Sequence, residues 1–199
     1  MKIKNKFINL KKEVYRLWQQ NSDLINFTKL PKRSKYLNKK PHSMPALKKI
    51  KNWESECIHT KKIFDYIVEL LPYINWKQTY SKKDVGKTFL NKFGYFELIG
   101  PNGHFFSKKI SLFFIFFDVN TFYTWHNHEA EELYFVLNGK AKFKSKGEAS
   151  KILTPLKSRF HKSFQPHSLS TFNNKCLSIV VWRDKLNSKV QVVKNANIN

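Results

Sequence analysis

Two different hydrophobic patterns divide the chain. Over residues 7–20 the apolar positions lie three or four residues apart, which predicts an amphipathic helix. These positions are Phe7, Leu10, Val14, Leu17 and Trp18. A second stripe of this kind predicts another helical region from about Pro45 to Tyr73, where Pro72 marks the end. From Lys29 to Lys51 the chain carries nine basic residues, no acidic residue and three prolines, which predicts an irregular connection.

From Phe89 onward the pattern changes to short apolar and aromatic runs separated by glycine, proline and asparagine. The predicted strands are 93–100, 110–119, 132–139, 140–145, 167–172, 176–184 and 189–193, with a turn at 101–106. So many short strands without intervening helices predict an all-β barrel or sandwich. We therefore expect a mostly β protein with one structural domain overall. In it, an α-helical N-terminal segment (residues 1–80) packs on a β-barrel (residues 81–199).

Composition and charge exclude some classes of protein. Hydrophobic residues make up 41% of the 199 residues, and the class of disordered chains is thereby excluded. The net charge of +23 raises binding of a nucleic acid or an anionic membrane as a hypothesis. However, the lysines are spread along the whole length, and basic charge alone gives only non-specific attraction. We expect residues 29–51 to be a solvated linker; the alternative is a contact with a polyanion or an acidic partner.

The cysteines and the N-terminal residues indicate in which cellular compartment the protein is expected. Cys57 and Cys176 are far apart and form no CxxC pattern, so we expect both to be reduced and buried. The N-terminal residues contain no hydrophobic stretch typical of a secretory signal. The longest apolar run, residues 110–119, is about half as long as a membrane-spanning helix. We expect a cytoplasmic protein.

The segment "YTWHNHEAEELYFVLNG", residues 123–139, contains the candidate metal ligands. In a strand, His126 and His128 would point to the same face about 7 Å apart, close enough to reach one ion. Glu132 supplies a carboxylate, and Gly139 supplies a turn residue. The order HxH-x3-E-x6-G is the first motif of the cupin barrels.

Cupins complete such a ligand set with a histidine from a later strand. His167 opens a predicted strand and is the preferred candidate, while His161 is its rival. Three imidazoles and one carboxylate suit one divalent transition metal ion, with Fe, Zn, Mn, Ni and Co all left open. The remaining histidines are expected to be ordinary surface or loop residues.

Two tyrosines flank these ligands. Tyr134 lies two residues after Glu132, so on a strand its side chain points to the same side. A metal cation within a few ångströms lowers the pKa of a phenol, and the phenolate is a general base. Tyr123 lies five residues before His128. Both are candidate catalytic residues.

With these residues in place, the sequence resembles the cupin-type dimethylsulfoniopropionate (DMSP) lyases of the DddQ and DddL type. The matching segments are 97–103, 123–139, 166–171 and 180–184, which together cover roughly residues 93–185. The chain departs from the family where Thr124 stands in place of a proline, and the stretch "HKSFQPH" (161–167) lacks the glycines of the second cupin motif.

The resemblance implies a carbon–sulfur lyase that cleaves DMSP to dimethyl sulfide and acrylate by β-elimination. It implies metal ligands at His126, His128, Glu132 and His167. It further implies that Tyr134 is the general base and that Tyr123 helps to hold the substrate. An aromatic wall would suit the sulfonium group, and the candidates for it are Trp125, Trp182, Tyr80 and Phe116.

Two alternatives remain open. One is another metal-dependent cupin enzyme, a dioxygenase or an isomerase, that acts on a small carboxylate or zwitterion. The other is a binding module in which residues 29–51 dock an anionic partner. The expected partner is a small zwitterionic substrate, with no specific nucleic acid and no membrane, and a homodimer is left open.

Overall fold

The computed structural model describes residues 2–193. The helices are α1 (Ile3–Gln19), α2 (Ser22–Phe27), α3 (Leu47–Lys51), α4 (Lys61–Leu70) and α5 (Lys82–Leu90), with a 3-10 turn at Leu71–Tyr73. The strands are β1 (Phe93–Gly100), β2 (Phe105–Phe106), β3 (Ile110–Phe117), β4 (Phe122–Asn127), β5 (Glu131–Gly139), β6 (Ala141–Ser145), β7 (Glu148–Leu153), β8 (Ser158–His161), β9 (His167–Ser170), β10 (Cys176–Arg183) and β11 (Gln191–Val192).

The strands form two sheets. The first has six strands in the order β2-β1-β3-β10-β5-β8, and the second has five in the order β11-β4-β9-β6-β7. Apart from the parallel β1–β2 pair, neighbouring strands in both sheets are antiparallel. Two sheets of this kind enclose an interior between them, as in a jelly-roll barrel. The predicted fold class, a mostly β cupin barrel with an N-terminal helical segment, is confirmed.

The six-stranded sheet is buried on both faces. Alternate residues of β5 show this, because Leu133, Phe135 and Leu137 join one hydrophobic cluster and Tyr134 and Val136 join another. The first cluster includes the apolar face of α1 together with α4, so the helices cover the outer face of this sheet. The second cluster fills the barrel. The residues that alternate with the helix-facing ones therefore point into the barrel.

The secondary structure departs from the predictions in several places. The helical region predicted from residue 45 to 73 is interrupted, since residues 52–60 separate α3 from α4. The sequence pattern did not predict α2, nor α5, whose Gly86 has a left-handed φ of 79°. It also missed β7, because five of its six residues are exposed and no apolar alternation marks it. The strand β1 has the predicted bounds.

The loop before α4 is fixed to the end of β5. The Asn138 amide donates to the Glu54 carbonyl (2.9 Å) and accepts from the Glu56 backbone N–H (2.6 Å). The Thr60 hydroxyl donates to the Leu137 carbonyl at 2.6 Å. These bonds join the helical layer to the strand that carries Glu132.

Both cysteines are free thiols, but only Cys176 is buried, whereas Cys57 is partly exposed. The expectation that both are buried is therefore wrong for Cys57, which lies in the loop that precedes α4. None of the helices within residues 2–193 has the length and apolar character that spanning a membrane would need.

Gly139 ends β5 with a left-handed φ of 69°, and a Cβ there would lie 1.9 Å from the Lys175 carbonyl oxygen. We expect Gly139→Ala to lower the free energy of unfolding by about 2–5 kcal/mol, the sum of backbone strain and steric overlap. Gly147→Ala is the matched control, since Gly147 also has a left-handed φ of 79° but nothing within 4 Å of the added Cβ. Its cost should be only about 1–2 kcal/mol. Urea unfolding measures both; equal losses would contradict the steric argument.

Candidate metal centre

The candidate ligands come from three strands in both sheets and from one turn between the sheets. His126 lies on β4, His167 begins β9, and the two are paired in the β4–β9 register. Glu132 lies on β5 in the facing sheet. The sequence predicted that His126 and His128 lie on one strand. This prediction is wrong, because β4 ends at Asn127, before His128. The turn between β4 and β5 nevertheless directs the His128 ring toward Glu132.

Three of these residues form a compact buried group. One ligand atom from each of His128, Glu132 and His167 lies within 4.8 Å of the others. The Nε2 atom of His128 is 3.3 Å from Glu132 Oε1, and the Nε2 atom of His167 is 3.2 Å from Glu132 Oε2. Yet both Nε2 atoms and Oε2 lack a hydrogen bond among the described residues. Buried polar atoms without a partner are costly, and a metal ion would satisfy all three.

The tautomers of the histidines favour metal binding at Nε2. In each case Nδ1 lies 2.7–2.9 Å from a backbone carbonyl: Thr124 for His126, Ala130 for His128 and Gln165 for His167. A carbonyl oxygen can only accept, so Nδ1 carries the proton. The lone pair is then on Nε2, which is the arrangement that metal-binding histidines use.

The electrostatics of the group keep the carboxylate ionised. Burial raises the pKa of Glu132, but the imidazoles of His128 and His167 lower it by more, so the pKa lies well below its usual value. Burial holds the pKa of His126 well below its ordinary value. Burial lowers the pKa of His128, but the Glu132 carboxylate raises it by more. Imidazole nitrogens and a carboxylate are a suitable donor set for a divalent transition metal.

His126 and His161 lie beside the three-residue group. The ring of His126 is 4.1 Å from that of His167, and His126 lines the same cavity as His128. His161 stacks on His167 with a centroid distance of 4.1 Å and lies opposite Glu132 in the β5–β8 register. Its Nδ1 contacts Ser145 Oγ at 3.0 Å, and its buried Nε2 has no partner among the described residues.

Tyr134 and Tyr123 both line the cavity that contains His126, His128 and Glu132. Burial raises the pKa of Tyr134 well above the ordinary value, and the charge of Glu132 adds to this. Burial likewise raises the pKa of Tyr123. Both phenols are therefore neutral unless a cation lies nearby.

The cavity has a volume of about 410 Å³ and extends away from the ligands along β1, β3 and β10. Of the four aromatic candidates, Trp182 lines it, whereas Phe116 packs against Trp53 on the helical side of the sheet. The sequence reasoning missed several lining residues: Lys77, Tyr95, Glu97, Asn102, Ser111 and Phe113. Glu97 was detectable as the one charged residue within the apolar run 93–100.

Trp182 also holds a ligand in place. Its indole Nε1–H donates to Glu132 Oε1 at 2.8 Å, and its ring lies 4.5 Å from that of His128. A donor to a metal-ligating carboxylate fixes the orientation of that carboxylate. Trp182 is paired with Glu132 in the β10–β5 register, so the sheet itself sets this contact.

The two-sheet barrel and the buried His/Glu group together define a cupin-type protein with a candidate metal centre. The family described as dimethylsulfoniopropionate lyase matches residues 19–178, and the chain belongs to that family. The expected resemblance is thereby confirmed.

Individual relatives agree with this membership. The dimethylsulfoniopropionate lyase DddQ of Ruegeria pomeroyi is 33% identical over 111 residues, 56% of this chain and 55% of the relative. The alignment thus spans about half the length of that curated protein. A crystal structure of the DMSP lyase DddQ from Ruegeria pomeroyi has a TM-score of 0.91 and 26% identity over 95% of this chain and 96% of its own. A chain from the crystal structures of the DMSP lyases RdDddP and RnDddQII has a TM-score of 0.93 and 26% identity, and covers 97% of this chain and 100% of its own.

We expect Trp182→Phe to weaken binding of Co²⁺ by about 10- to 100-fold, because Glu132 loses its donor while the aromatic packing is kept. Titration against a competing chelator measures the affinity. Trp125→Phe is the control, since Trp125 is a partly buried tryptophan of β4 outside the residues that line the cavity. An unchanged affinity in Trp182→Phe would show that the indole donor does not orient the carboxylate.

Proposed function

We propose that this protein is a metal-dependent lyase that cleaves DMSP to dimethyl sulfide and acrylate by β-elimination. The observation that carries the proposal is the placement of Tyr134 on the wall of the same cavity as His128 and Glu132, in a chain that belongs to the DMSP lyase family. The proposed general base and the candidate metal centre thereby face the same small cavity.

The proposed ligands are His126, His128, Glu132 and His167, and the proposed ion is one divalent first-row metal. The three unpartnered atoms of His128, Glu132 and His167 support this assignment. His126 offers its Nε2 from the adjacent strand. When bound, such a cation acts as a Lewis acid that stabilises negative charge on a substrate carboxylate and on the phenolate of Tyr134.

The proposed base is the Tyr134 phenolate, which removes the proton from the carbon next to the substrate carboxylate. The electron pair of that C–H bond becomes the new carbon–carbon double bond, and the C–S bond breaks. Its electron pair leaves with sulfur as neutral dimethyl sulfide, and acrylate remains. The proton ends on Tyr134 and no electrons are exchanged with a cofactor, so the reaction balances.

Tyr123 would hold the substrate rather than react with it. Its hydroxyl is 3.1 Å from that of Tyr80, and its ring stacks on His126 at 4.0 Å. The ring also packs among Phe89, Phe93 and Phe117. Such packing fixes the hydroxyl, and a fixed donor orients a bound carboxylate at little entropic cost.

Purified protein supplied with a first-row divalent metal should release dimethyl sulfide from DMSP, detected in the headspace gas. A chelator should abolish the release and added metal should restore it, because the cation would supply the Lewis acid that stabilises the developing charge. Release that survives complete removal of metal would contradict metal dependence. If no first-row metal gave any release of dimethyl sulfide, the lyase assignment would be contradicted, but the assignment of the cupin fold would not.

Tyr134→Phe should lower kcat by about 100-fold or more, since a general base contributes that much to proton transfer. Bound metal, measured by elemental analysis, should stay at the wild-type level. Tyr36→Phe is the control, because Tyr36 packs against α1 and β2, outside the residues that line the cavity. A kcat near that of the wild type in Tyr134→Phe would exclude this tyrosine as the base.

A further inference from the structure

Two carboxylates line the cavity, and only Glu132 belongs to the candidate metal centre. The other is Glu97 of β1, which is only 5% exposed. The Ser111 hydroxyl donates to its Oε1 at 2.9 Å, and the backbone of Asn102 also bonds to it. The metal ligands do not explain why this acid is buried here.

The backbone around Glu97 is shaped to accommodate its carboxylate. A Cβ on Gly100 would lie 1.8 Å from Glu97 Oε1 and 2.9 Å from the Ser111 hydroxyl, so only glycine leaves room for them. The β1–β3 register also shifts between Glu97 and Ile99, which places the acid at an irregularity of the strand. Irregularities of this kind are common next to functional sites.

Within residues 2–193, Glu97 has no cationic side chain at ion-pair distance, although the charges of Lys77 and Lys39 act on it and lower its pKa. None of the ion pairs within residues 2–193 includes Glu97. Among the described residues, Lys77 and Lys189 are the cationic ones that line the cavity, and Lys77 is close enough to oppose part of the effect of burial. Burial still raises the pKa of Glu97. A buried acid without an ion pair is costly, and a cationic ligand would offset that cost.

The sheet fixes how far Glu97 lies from the metal centre. Ser111, Trp182 and Glu132 are consecutive partners across β3, β10 and β5. Two strand spacings separate Ser111 from Glu132 by about 10 Å. Glu97 binds the Ser111 hydroxyl, so its carboxylate lies at the Ser111 end of this row.

Aromatic rings form the wall between the two carboxylates. Trp182 contacts Phe113 edge to face with a centroid distance of 5.4 Å, and Phe113 contacts Tyr95 at 5.8 Å. Phe113 is also the direct cross-strand partner of Glu97. An aromatic surface beside a carboxylate attracts a soft, weakly hydrated cation, while the rings still exclude water.

We propose that Glu97, with the rings of Phe113 and Tyr95, binds the sulfonium end of the substrate and selects zwitterions over simple carboxylic acids. This inference rests on the proposed function, in which the substrate carboxylate lies at the metal centre. DMSP has two methylene groups between its charged ends. When one van der Waals contact distance is added at each end, the length of DMSP matches the separation of about 10 Å between Ser111 and Glu132.

The test compares DMSP with 4-methylpentanoate, an analogue with an uncharged tail in which a CH group replaces the sulfonium sulfur. The variant is Glu97→Gln, which keeps the shape and an acceptor for the Ser111 hydroxyl. We expect KM for DMSP to rise about tenfold or more, which corresponds to about 1.4 kcal/mol, with kcat changed less than twofold. The inhibition constant of 4-methylpentanoate should stay within twofold of wild type, since it has no positive charge. If Glu97→Gln weakened the binding of both molecules equally, the proposal would be overturned, because Glu97 would then have a purely structural role.

Controls separate this result from unfolding and from failure of the proposed function. Glu129→Gln removes the same charge outside the residues that line the cavity, and it should leave both constants unchanged. Thermal unfolding checks that each variant is folded. If the wild type proves inactive on DMSP, direct calorimetry with 3-(trimethylammonio)propionate and 4-methylpentanoate still tests the cation site. If the wild type binds the zwitterion more tightly than 4-methylpentanoate and Glu97→Gln abolishes this difference, the site is supported. Equal binding of both molecules by the wild type would overturn it.

Discussion

The structure depends on the burial of one carboxylate, Glu132, between two imidazoles. Water cannot solvate a carboxylate at this depth. The Trp182 indole donates one hydrogen bond to it, and a cation held jointly with His128 and His167 would offset the rest of the lost hydration. These partners come from both sheets, and therefore the sheets must face each other with β4, β5, β9 and β10 in fixed register. The closure of the barrel and the geometry of the candidate metal centre are consequently one constraint.

The alternation of residues along β5 extends this constraint to the helical layer. Glu132 and Tyr134 face the cavity, so Leu133 and Phe135 must face outward, where water would otherwise meet them. The helices α1 and α4 cover this outer surface. The many lysines of the N-terminal region lie beyond that apolar layer, so the strongly basic composition is compatible with an apolar interior. The helical segment is thus part of the energetics of the site, although it carries none of the candidate ligands.

Sequence reasoning succeeded where a pattern was local. The bounds of β1 are legible within a few residues. The spacing of His126 and His128 is equally local, but its interpretation as one strand was wrong, because β4 ends at Asn127. Sequence reasoning failed where the partners are distant in the sequence. Trp182 donates to Glu132, which lies 50 residues away, and this contact depends on the β10–β5 register, which no local pattern encodes. Glu97 was visible as a lone acid in an apolar strand, but only the packing of Gly100 and Ser111 around it shows a prepared position. The edge strand β7 was missed because its side chains are exposed and carry no alternation.

One part of the cavity wall lies outside both sheets. Leu186, Ser188, Lys189 and Val190 line it from the connection between β10 and β11, which the Ser188 hydroxyl fixes by accepting a hydrogen bond from the Glu129 backbone N–H. No strand pairing depends on these four side chains. Changes at Leu186, Lys189 and Val190 can therefore alter the width and charge of the cavity without altering either sheet. Ser188 differs from these three, because its bond to Glu129 ties the connection to the turn that carries His128. Among related chains, this connection is where the size and charge of the cavity can diverge.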